Sequence, residues 1–169
     1  MKLHIGGIVP KYGWKLLNIS DREGVDYVGD ISDLSQFSDA SCSEIYASHV
    51  LEHVPQQRVL LTLVGVRRLL NAGGKFYISV PDMDILCHFF ISPLASLEQR
   101  FHVMRMIFGG QVDAYDFHQF GWNQGFLFDF LGQAGFSNAE RVESFGLFND
   151  TSDYAPYGFP ISLNVIATK

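Results

Sequence analysis

The stretch EIYASHVLEHVPQQRVLLTLVGVRRLLNAGGKFYISVP, residues 44–81, predicts a strand, a helix and a second strand in direct succession. Residues 44–48 and 75–81 are short runs containing aromatic and β-branched side chains, which are typical of strands. Residues 55–70 place their apolar side chains on one broad stripe of a helix. A proline suits the first turn of this helix, and the Gly73-Gly74 pair suits its end. Such alternation is typical of a sheet covered by helices.

The rest of the chain contains further strand and helix patterns. Strands are predicted at residues 2–5, 15–19, 25–30, 139–144 and 162–168, and helices at residues 97–108 and 123–133. Asn123 can cap the second of these helices. We therefore expect a single α/β domain over residues 1–169, with a mostly parallel sheet, helices on both faces and an antiparallel strand pair at the C-terminus.

Composition and charge argue against several classes of function. The net charge is −6 and the lysines and arginines are scattered, so nucleic acid is not an expected partner. The longest apolar run, residues 59–66, is too short to cross a bilayer, and no membrane association is expected. Cys42 and Cys87 have no metal-binding or redox spacing. With no signal peptide visible, we expect reduced thiols in a cytoplasmic protein.

Residues 49–53 read HVLEH and match the H-x-x-E-H spelling of a class of zinc peptidases. Such a site needs His49 and His53 one turn apart on a continuous helix. Pro55 argues against that helix, because its ring would clash with the carbonyl four residues earlier and it has no N–H to bond there. We therefore interpret the motif as a strand-to-helix loop, and no metal ligand is predicted.

Residues 26–82 contain a longer ordered pattern. An acidic strand end at Gly29-Asp30 precedes a polar turn, a strand ending in SHVLEHV, a helix closing with RRLLNAGG and a strand tipped by VPD. This order resembles the class I S-adenosylmethionine-dependent methyltransferases. With KLHIGG at the start and DFHQFGW at residues 116–122, the chain resembles a bacterial subgroup of small predicted members. The resemblance implies a Rossmann-like methyltransferase fold, methyl transfer and S-adenosylmethionine as the cofactor.

By this resemblance the cofactor would lie across the carboxyl ends of the strands. Glycines after the first strand would let the backbone approach its methionine part, because they lack a Cβ. The second strand end would contact the ribose, the third would contact adenine, and the fourth would line the methyl-donor side. The implied cofactor-binding residues, in that order, are Gly6, Gly7, Asn18, Asp30, Ile31, Ser48 and His49.

Two departures from the family pattern bear on activity. Residues 8–14 leave no room for the helix that normally follows the first strand, so the first motif is shortened. Asn18 stands where a carboxylate normally holds the ribose hydroxyls, with Asp21 as a substitute contact. The alternative to an active enzyme is therefore a binding or scaffolding domain that keeps the fold without the chemistry. A nucleotide-binding oxidoreductase is disfavoured because Gly6-Gly7 lacks the G-x-G-x-x-G spacing.

Residues 115–124, YDFHQFGWNQ, lie where the family places acceptor-binding residues. His118, His53 and Asp82 are the candidate catalytic residues, and a base is needed only for a poorly nucleophilic acceptor such as a hydroxyl. For His118, a purely structural role is an alternative of equal weight to the catalytic one. Trp122 is a candidate substrate contact, although packing against the start of the following helix is the favoured interpretation of the aromatic side chains.

The acceptor and the partners follow from weaker signals. The acidic chain disfavours polyanionic acceptors, so we expect a small molecule or a sugar. Residues 82–121 are interpreted either as a lid or acceptor-side insertion or as the surface of a homodimer.

Overall fold

The computed structural model describes residues 1–169 and contains one seven-stranded sheet. In space the strand order is β3-β2-β1-β4-β5-β7-β6. Neighbours from β3 to β5 pair in parallel, whereas β7 is antiparallel to both β5 and β6. The predicted sheet is confirmed. In chain order, the strands are β1 (Lys2–Ile5), β2 (Trp14–Asn18), β3 (Tyr27–Val28), β4 (Cys42–Ser48), β5 (Leu70–Pro81), β6 (Asn138–Val142) and β7 (Ser162–Thr168).

Four α-helices accompany the sheet: α1 (Val59–Leu69), α2 (Met83–Ile91), α3 (Leu97–Phe108) and α4 (Gln124–Gln133). The predicted cap of α4 is present, because the Asn123 side-chain oxygen accepts a hydrogen bond from the N–H of Phe126 at 2.9 Å. A capping box between Ser96 and Gln99 begins α3. No helix is long and apolar enough to span a membrane.

β3 and β5 differ most from their predicted lengths, each for a local reason. β3 is short because the chain turns at Asp30 just after Gly29, whose N–H still bonds to the carbonyl of Asn18 at 2.9 Å. β5 begins at Leu70 instead of residue 75. Between Leu70 and Lys75 the strand holds five register steps against only two on β4, so residues 71–74 bulge out of the ladder.

The main core joins the central strands to α1 and α4. Its helical members include Val59, Leu63, Val66, Leu127 and Leu131, all fully buried. In the sheet register, Ile5 pairs with Leu17 on one side and with Ala47 on the other. The chain therefore leaves β1, β2 and β4 at the same edge of the sheet, which positions the candidate site.

The connection between β1 and β2 contains no helix, as predicted from the shortened first motif. Residues 6–13 form a loop in its place. Apart from the main core, α2 and α3 pack together around a small cluster of Leu86, Val103 and Ile161. These two helices account for most of residues 82–121, for which the sequence predicted only α3.

Candidate functional site

A cavity of about 410 Å³ lies at the carboxyl ends of β1, β2 and β4. Parallel α/β sheets bind ligands at this edge, in the crevice beyond the strand ends. The volume falls within the roughly 300–1,000 Å³ that is typical of ligand pockets. Five of the seven predicted cofactor-binding residues line the cavity: Gly6, Asn18, Asp30, Ile31 and His49.

Gly6 occupies a position that only glycine fills without strain. Its φ of +79° lies in the left-handed region, and a Cβ added there would overlap Cγ2 of Val50. Val50 lines the same cavity from the loop after β4. The close packing of these two loops therefore requires a residue without a side chain, and backbone forms this part of the cavity wall.

Asn18 fastens the loop that replaces the missing helix. Its Nδ2 donates to the carbonyl oxygens of Gly7 at 3.0 Å and Gly6 at 3.3 Å, and its Oδ1 accepts from the N–H of Ser20 at 2.9 Å. A carboxylate could not make the two donated bonds. This explains the asparagine at a position where the resemblance implies an acid. Asp21, the predicted substitute contact, is exposed and does not line the cavity.

Asp30 stands at the tip of β3 with one carboxylate oxygen already engaged. Oδ1 accepts from the N–H of Ser32 at 2.7 Å, which holds the turn after the strand. The other oxygen makes no hydrogen bond within the protein and is available to a ligand hydroxyl or amino group. Ile31 is buried beside it and contributes an apolar wall.

Gly7 and Ser48, the other two predicted cofactor-binding residues, line a second cavity of about 760 Å³. Residues 6–11 and 147–151 form most of its walls. Ser48 Oγ donates to Asp150 at 3.3 Å, and the hydroxyl of Tyr46 donates to the other carboxylate oxygen of Asp150 at 2.8 Å. The structure thus divides the predicted set between two neighbouring cavities.

The H-x-x-E-H stretch is a loop, as predicted. His49 has a φ of +53°, Leu51–His53 form a short 3-10 turn, and Val54 is extended. His49 and His53 are therefore not on one helix, and the spacing required of a zinc peptidase is not formed.

Three histidines surround the glutamate of this loop. His49 Nδ1 lies 3.3 Å and His118 Nε2 lies 3.9 Å from Oε1 of Glu52. The rings of His53 and His118 meet edge to face, with centroids 4.8 Å apart. His53 and His49 line the 410 Å³ cavity. Two of the three predicted catalytic residues, His53 and His118, therefore come together at its edge from distant parts of the chain.

The charge of Glu52 is held in an unusual environment. The side chain is fully buried, and neither carboxylate oxygen has a well-formed hydrogen bond. Burial alone would raise the pKa of this carboxyl, but the contact with His49 and the charges of the three histidines hold the pKa below its usual value. Burial lowers the pKa of the His118 imidazole, and the Glu52 charge opposes this only in part. Such perturbed groups beside a cavity are typical of functional sites.

Asp82 and Trp122 lie outside this cavity and have structural roles. The Asp82 side chain caps α2 by accepting hydrogen bonds from N–H groups in the first turn of the helix. It also accepts a hydrogen bond from Arg141 at 2.9 Å. Trp122 is fully buried in the main core and packs against Phe120 and Phe130. The structure brings neither side chain to the place predicted for an acceptor. The core interpretation of Trp122 is the one that its packing matches.

Several cavity-lining residues were not singled out from the sequence. Tyr115, Phe117 and Gln119 line it from the segment before α4, and Arg58 lines it from the start of α1. The run of aromatic and polar residues marked the segment as a whole. No periodicity in an irregular segment tells which of its side chains face a ligand, so the individual residues could not be chosen.

Comparisons with known proteins identify the fold. A family model described as a methyltransferase domain matches residues 14–78. An S-adenosylmethionine-dependent methyltransferase from Thermotoga maritima aligns with a TM-score of 0.61 at 16% identity, over 99% of this chain and 81% of that chain. One from Archaeoglobus fulgidus gives a TM-score of 0.60 at 17% identity, over 99% and 85% of the two chains. No curated protein matches the sequence.

A third solved structure carries ligands. The 1,6-didemethyltoxoflavin-N1-methyltransferase from Burkholderia thailandensis, with bound 1,6-didemethyltoxoflavin and S-adenosylhomocysteine, gives a TM-score of 0.60 at 15% identity, over 99% of this chain and 70% of that chain. The chain therefore has the Rossmann-like fold of class I S-adenosylmethionine-dependent methyltransferases. The fold implied by the resemblance of residues 26–82 is confirmed.

Proposed function

We propose that this protein is an S-adenosylmethionine-dependent methyltransferase and that its cofactor occupies the 410 Å³ cavity. The observation that carries the proposal is the convergence of Gly6, Asp30 and His49 on one cavity at the carboxyl ends of parallel strands. The methyltransferase family match and the fold add support. When bound, S-adenosylmethionine supplies a methyl group activated on a sulfonium centre.

The residues around the cavity fit the parts of this cofactor. The bare backbone at Gly6 offers an uncrowded wall for the methionine part. The free oxygen of Asp30 and the apolar side chain of Ile31 suit the adenosine part, which has polar edges and a flat apolar face. Asn18 keeps only the remaining lone pair of Oδ1 for the ribose, because both of its donors hold the loop.

The acceptor side of the cavity is assigned to the segment before α4. Tyr115, Phe117 and Gln119 line the cavity there, opposite the strand ends. Methyl transfer is an in-line displacement, so positioning of the acceptor supplies much of the rate enhancement. For a hydroxyl acceptor, His53 is the group at the cavity wall that can take the proton, and His118 beside it can share the charge.

We infer a small-molecule or sugar acceptor. The cavity is a partly open cleft between loops, and the net charge of −6 disfavours polyanions. One structural neighbour, the 1,6-didemethyltoxoflavin-N1-methyltransferase, has 1,6-didemethyltoxoflavin bound. In this proposal residues 114–119 form the acceptor-side insertion.

The proposal is tested by calorimetric titration with S-adenosylhomocysteine and S-adenosylmethionine. We expect micromolar binding that weakens at least tenfold in Asp30→Ala. Asp33→Ala is the matched control, because Asp33 makes the same kind of turn contact, to the N–H of Ser35 at 3.1 Å, but does not line the cavity. No binding of either ligand at millimolar concentration would contradict the proposal.

A second candidate function is a binding domain that keeps the fold without methyl transfer. The observation in its favour is that Asn18 carries no charge and commits both amide hydrogens to the loop. This candidate predicts no cofactor binding in the titration above, and it predicts that the protein binds a partner unaffected by S-adenosylhomocysteine.

A further inference from the structure

We propose that Glu52, His53 and His118 form a binding site for a divalent transition-metal ion of the zinc class. One ligand atom from each residue lies within 4.8 Å of the others. Two imidazoles and one carboxylate form a three-ligand set that binds Zn²⁺ and leaves a position open. This site goes beyond the proposed methyl transfer. It takes His53 and His118 as ligands, so a bound ion would replace their proposed part in accepting a proton.

The buried carboxylate of Glu52 lacks hydrogen-bond donors. A buried carboxylate without hydrogen bonds costs free energy unless a cation or several donors compensate it. Glu52 has no exposed surface, and neither of its oxygens has a hydrogen-bond partner of good geometry. His49 faces Oε1 at 3.3 Å, which leaves Oε2 without any partner. A metal ion bound to this carboxylate would compensate its charge.

The ring of His53 is oriented by a hydrogen bond to the backbone. Its Nδ1 lies 3.2 Å from the backbone carbonyl oxygen of Phe117. A carbonyl only accepts, so Nδ1 carries the hydrogen and Nε2 keeps its lone pair. Metal-binding histidines are commonly held in this way by a second hydrogen bond to a carbonyl or carboxylate.

Backbone hydrogen bonds hold the loop of Glu52 and His53 beside the segment that contains His118. The carbonyl oxygen of Glu52 accepts hydrogen bonds from the N–H groups of Gln119 at 2.7 Å and Phe120 at 3.1 Å. The N–H of His118 donates to the carbonyl of Phe108 at 3.1 Å. His118 is therefore held beside the Glu52 loop although 65 residues separate His118 from His53 in the sequence.

His49 acts as a positioning residue for this site. Ser162 Oγ donates to the carbonyl of Thr151 at 2.9 Å, so it accepts from His49 Nε2 at 2.8 Å. The other ring nitrogen of His49 faces Glu52 Oε1. When both ring nitrogens carry hydrogen, the ring bridges Ser162 and the glutamate and orients the carboxylate toward His53 and His118.

The zinc-peptidase interpretation and this proposal differ in their ligands. The first required His49 and His53 on one helix, which Pro55 prevents. The present site uses His53 and Glu52 from the loop and takes its third ligand from His118, which no spacing within the motif could reveal.

The test is a titration of metal-free protein with Co²⁺, followed by its d–d absorption, and displacement by Zn²⁺. We expect one equivalent of Co²⁺ to bind, with at least tenfold weaker binding in His53→Ala and in His118→Ala. His88→Ala removes an exposed histidine of α2 and is the matched control, which should bind as the native protein does. Circular dichroism confirms that each variant is folded.

Three results would overturn the site: absence of stoichiometric Co²⁺ binding, a site retained in both His53→Ala and His118→Ala, or a site lost in His88→Ala. S-adenosylhomocysteine binding by the metal-free protein is measured in parallel. Because the two ligands are titrated separately, failure of the metal site and failure of the proposed methyltransferase function are distinguished.

Discussion

Asn18 donates its side-chain amide to the carbonyl oxygen of Gly7 at 3.0 Å and so ties the loop after β1 to the end of β2. Asn18→Asp would turn a carboxylate toward this oxygen and that of Gly6. We expect the free energy of unfolding to fall by about 1–3 kcal/mol, because the two carbonyls lose their donor and face a negative charge. Urea denaturation measures the change.

Asn138→Asp, at an exposed position of β6, is the control for the added charge and should change stability little. If Asn18→Asp were as stable as the native protein and bound S-adenosylmethionine more tightly, the residue would serve the ribose and not the loop.

The packing of Gly6 against Val50 predicts a specific pair of variants. Gly6→Ala meets both a left-handed φ and the overlap with Val50, and should destabilise by about 2–4 kcal/mol when the two costs are combined. Gly13→Ala, at a φ of +84° with no atom near its Cβ, meets only the first cost and should lose about 1 kcal/mol. Thermal unfolding compares them.

Val50→Ala in the Gly6→Ala background should restore part of the stability, because it removes the overlapping methyl group. Equal losses in Gly6→Ala and Gly13→Ala, with no recovery in the double variant, would show that loop packing does not require this glycine.

Asp82 should act on stability and not on ligand binding. Asp82→Ala removes the cap of α2 and the partner of Arg141, and we expect a loss of about 1–2 kcal/mol, most of it from the cap because Arg141 stays in contact with solvent. Its affinity for S-adenosylhomocysteine should remain within a factor of two of the native value. Asp84→Ala, in the first turn of the same helix but exposed, is the control. If Asp82→Ala kept its stability but lost affinity for S-adenosylhomocysteine, Asp82 would be a binding residue and not a helix cap.

Burial of His4 should make the free energy of unfolding fall as the pH is lowered. Burial among aromatic rings lowers the pKa of His4 from 6.5 to about 4, with Asp150 opposing the shift. Between these pH values the unfolded chain binds a proton that the folded protein does not, so acidification from pH 6.5 to pH 4 favours unfolding. The contribution is about 3 kcal/mol.

Denaturant unfolding at pH 7, 5.5 and 4.5 measures this effect. His4→Gln should show a flatter loss of stability on acidification, whereas the exposed His88→Gln should keep the native slope. A native slope in His4→Gln would assign the acid sensitivity to other groups.

The parts of this molecule predicted from sequence are those with local signals. The aromatic and β-branched runs of β4 and β5, the Asn123 cap and the effect of Pro55 on the H-x-x-E-H loop all depend on neighbours within a few residues. α2 was not predicted, because MDILCHFFI is short, Asp84 and His88 are its only charged or titratable polar side chains, and its start depends on the Asp82 cap.

The candidate site was predicted only where residues follow strand ends. Gly6, Asp30 and His49 line one cavity, because the carboxyl ends of parallel strands share one edge; their binding of a cofactor stays a prediction. The division of Gly7 and Ser48 into a second cavity depends on residues 147–151, about 100 residues further along the chain. The contact of His118 with Glu52 is likewise a product of tertiary folding and leaves no trace in sequence spacing.

The central claim is tested most directly by a crystal structure of the protein grown with saturating S-adenosylhomocysteine. We predict the ligand in the 410 Å³ cavity, with its amino-acid end at Gly6 and its adenine beside Asp30 and Ile31. A ligand bound instead in the 760 Å³ cavity beside Gly7 and Ser48, or no bound ligand at saturation, would contradict this assignment.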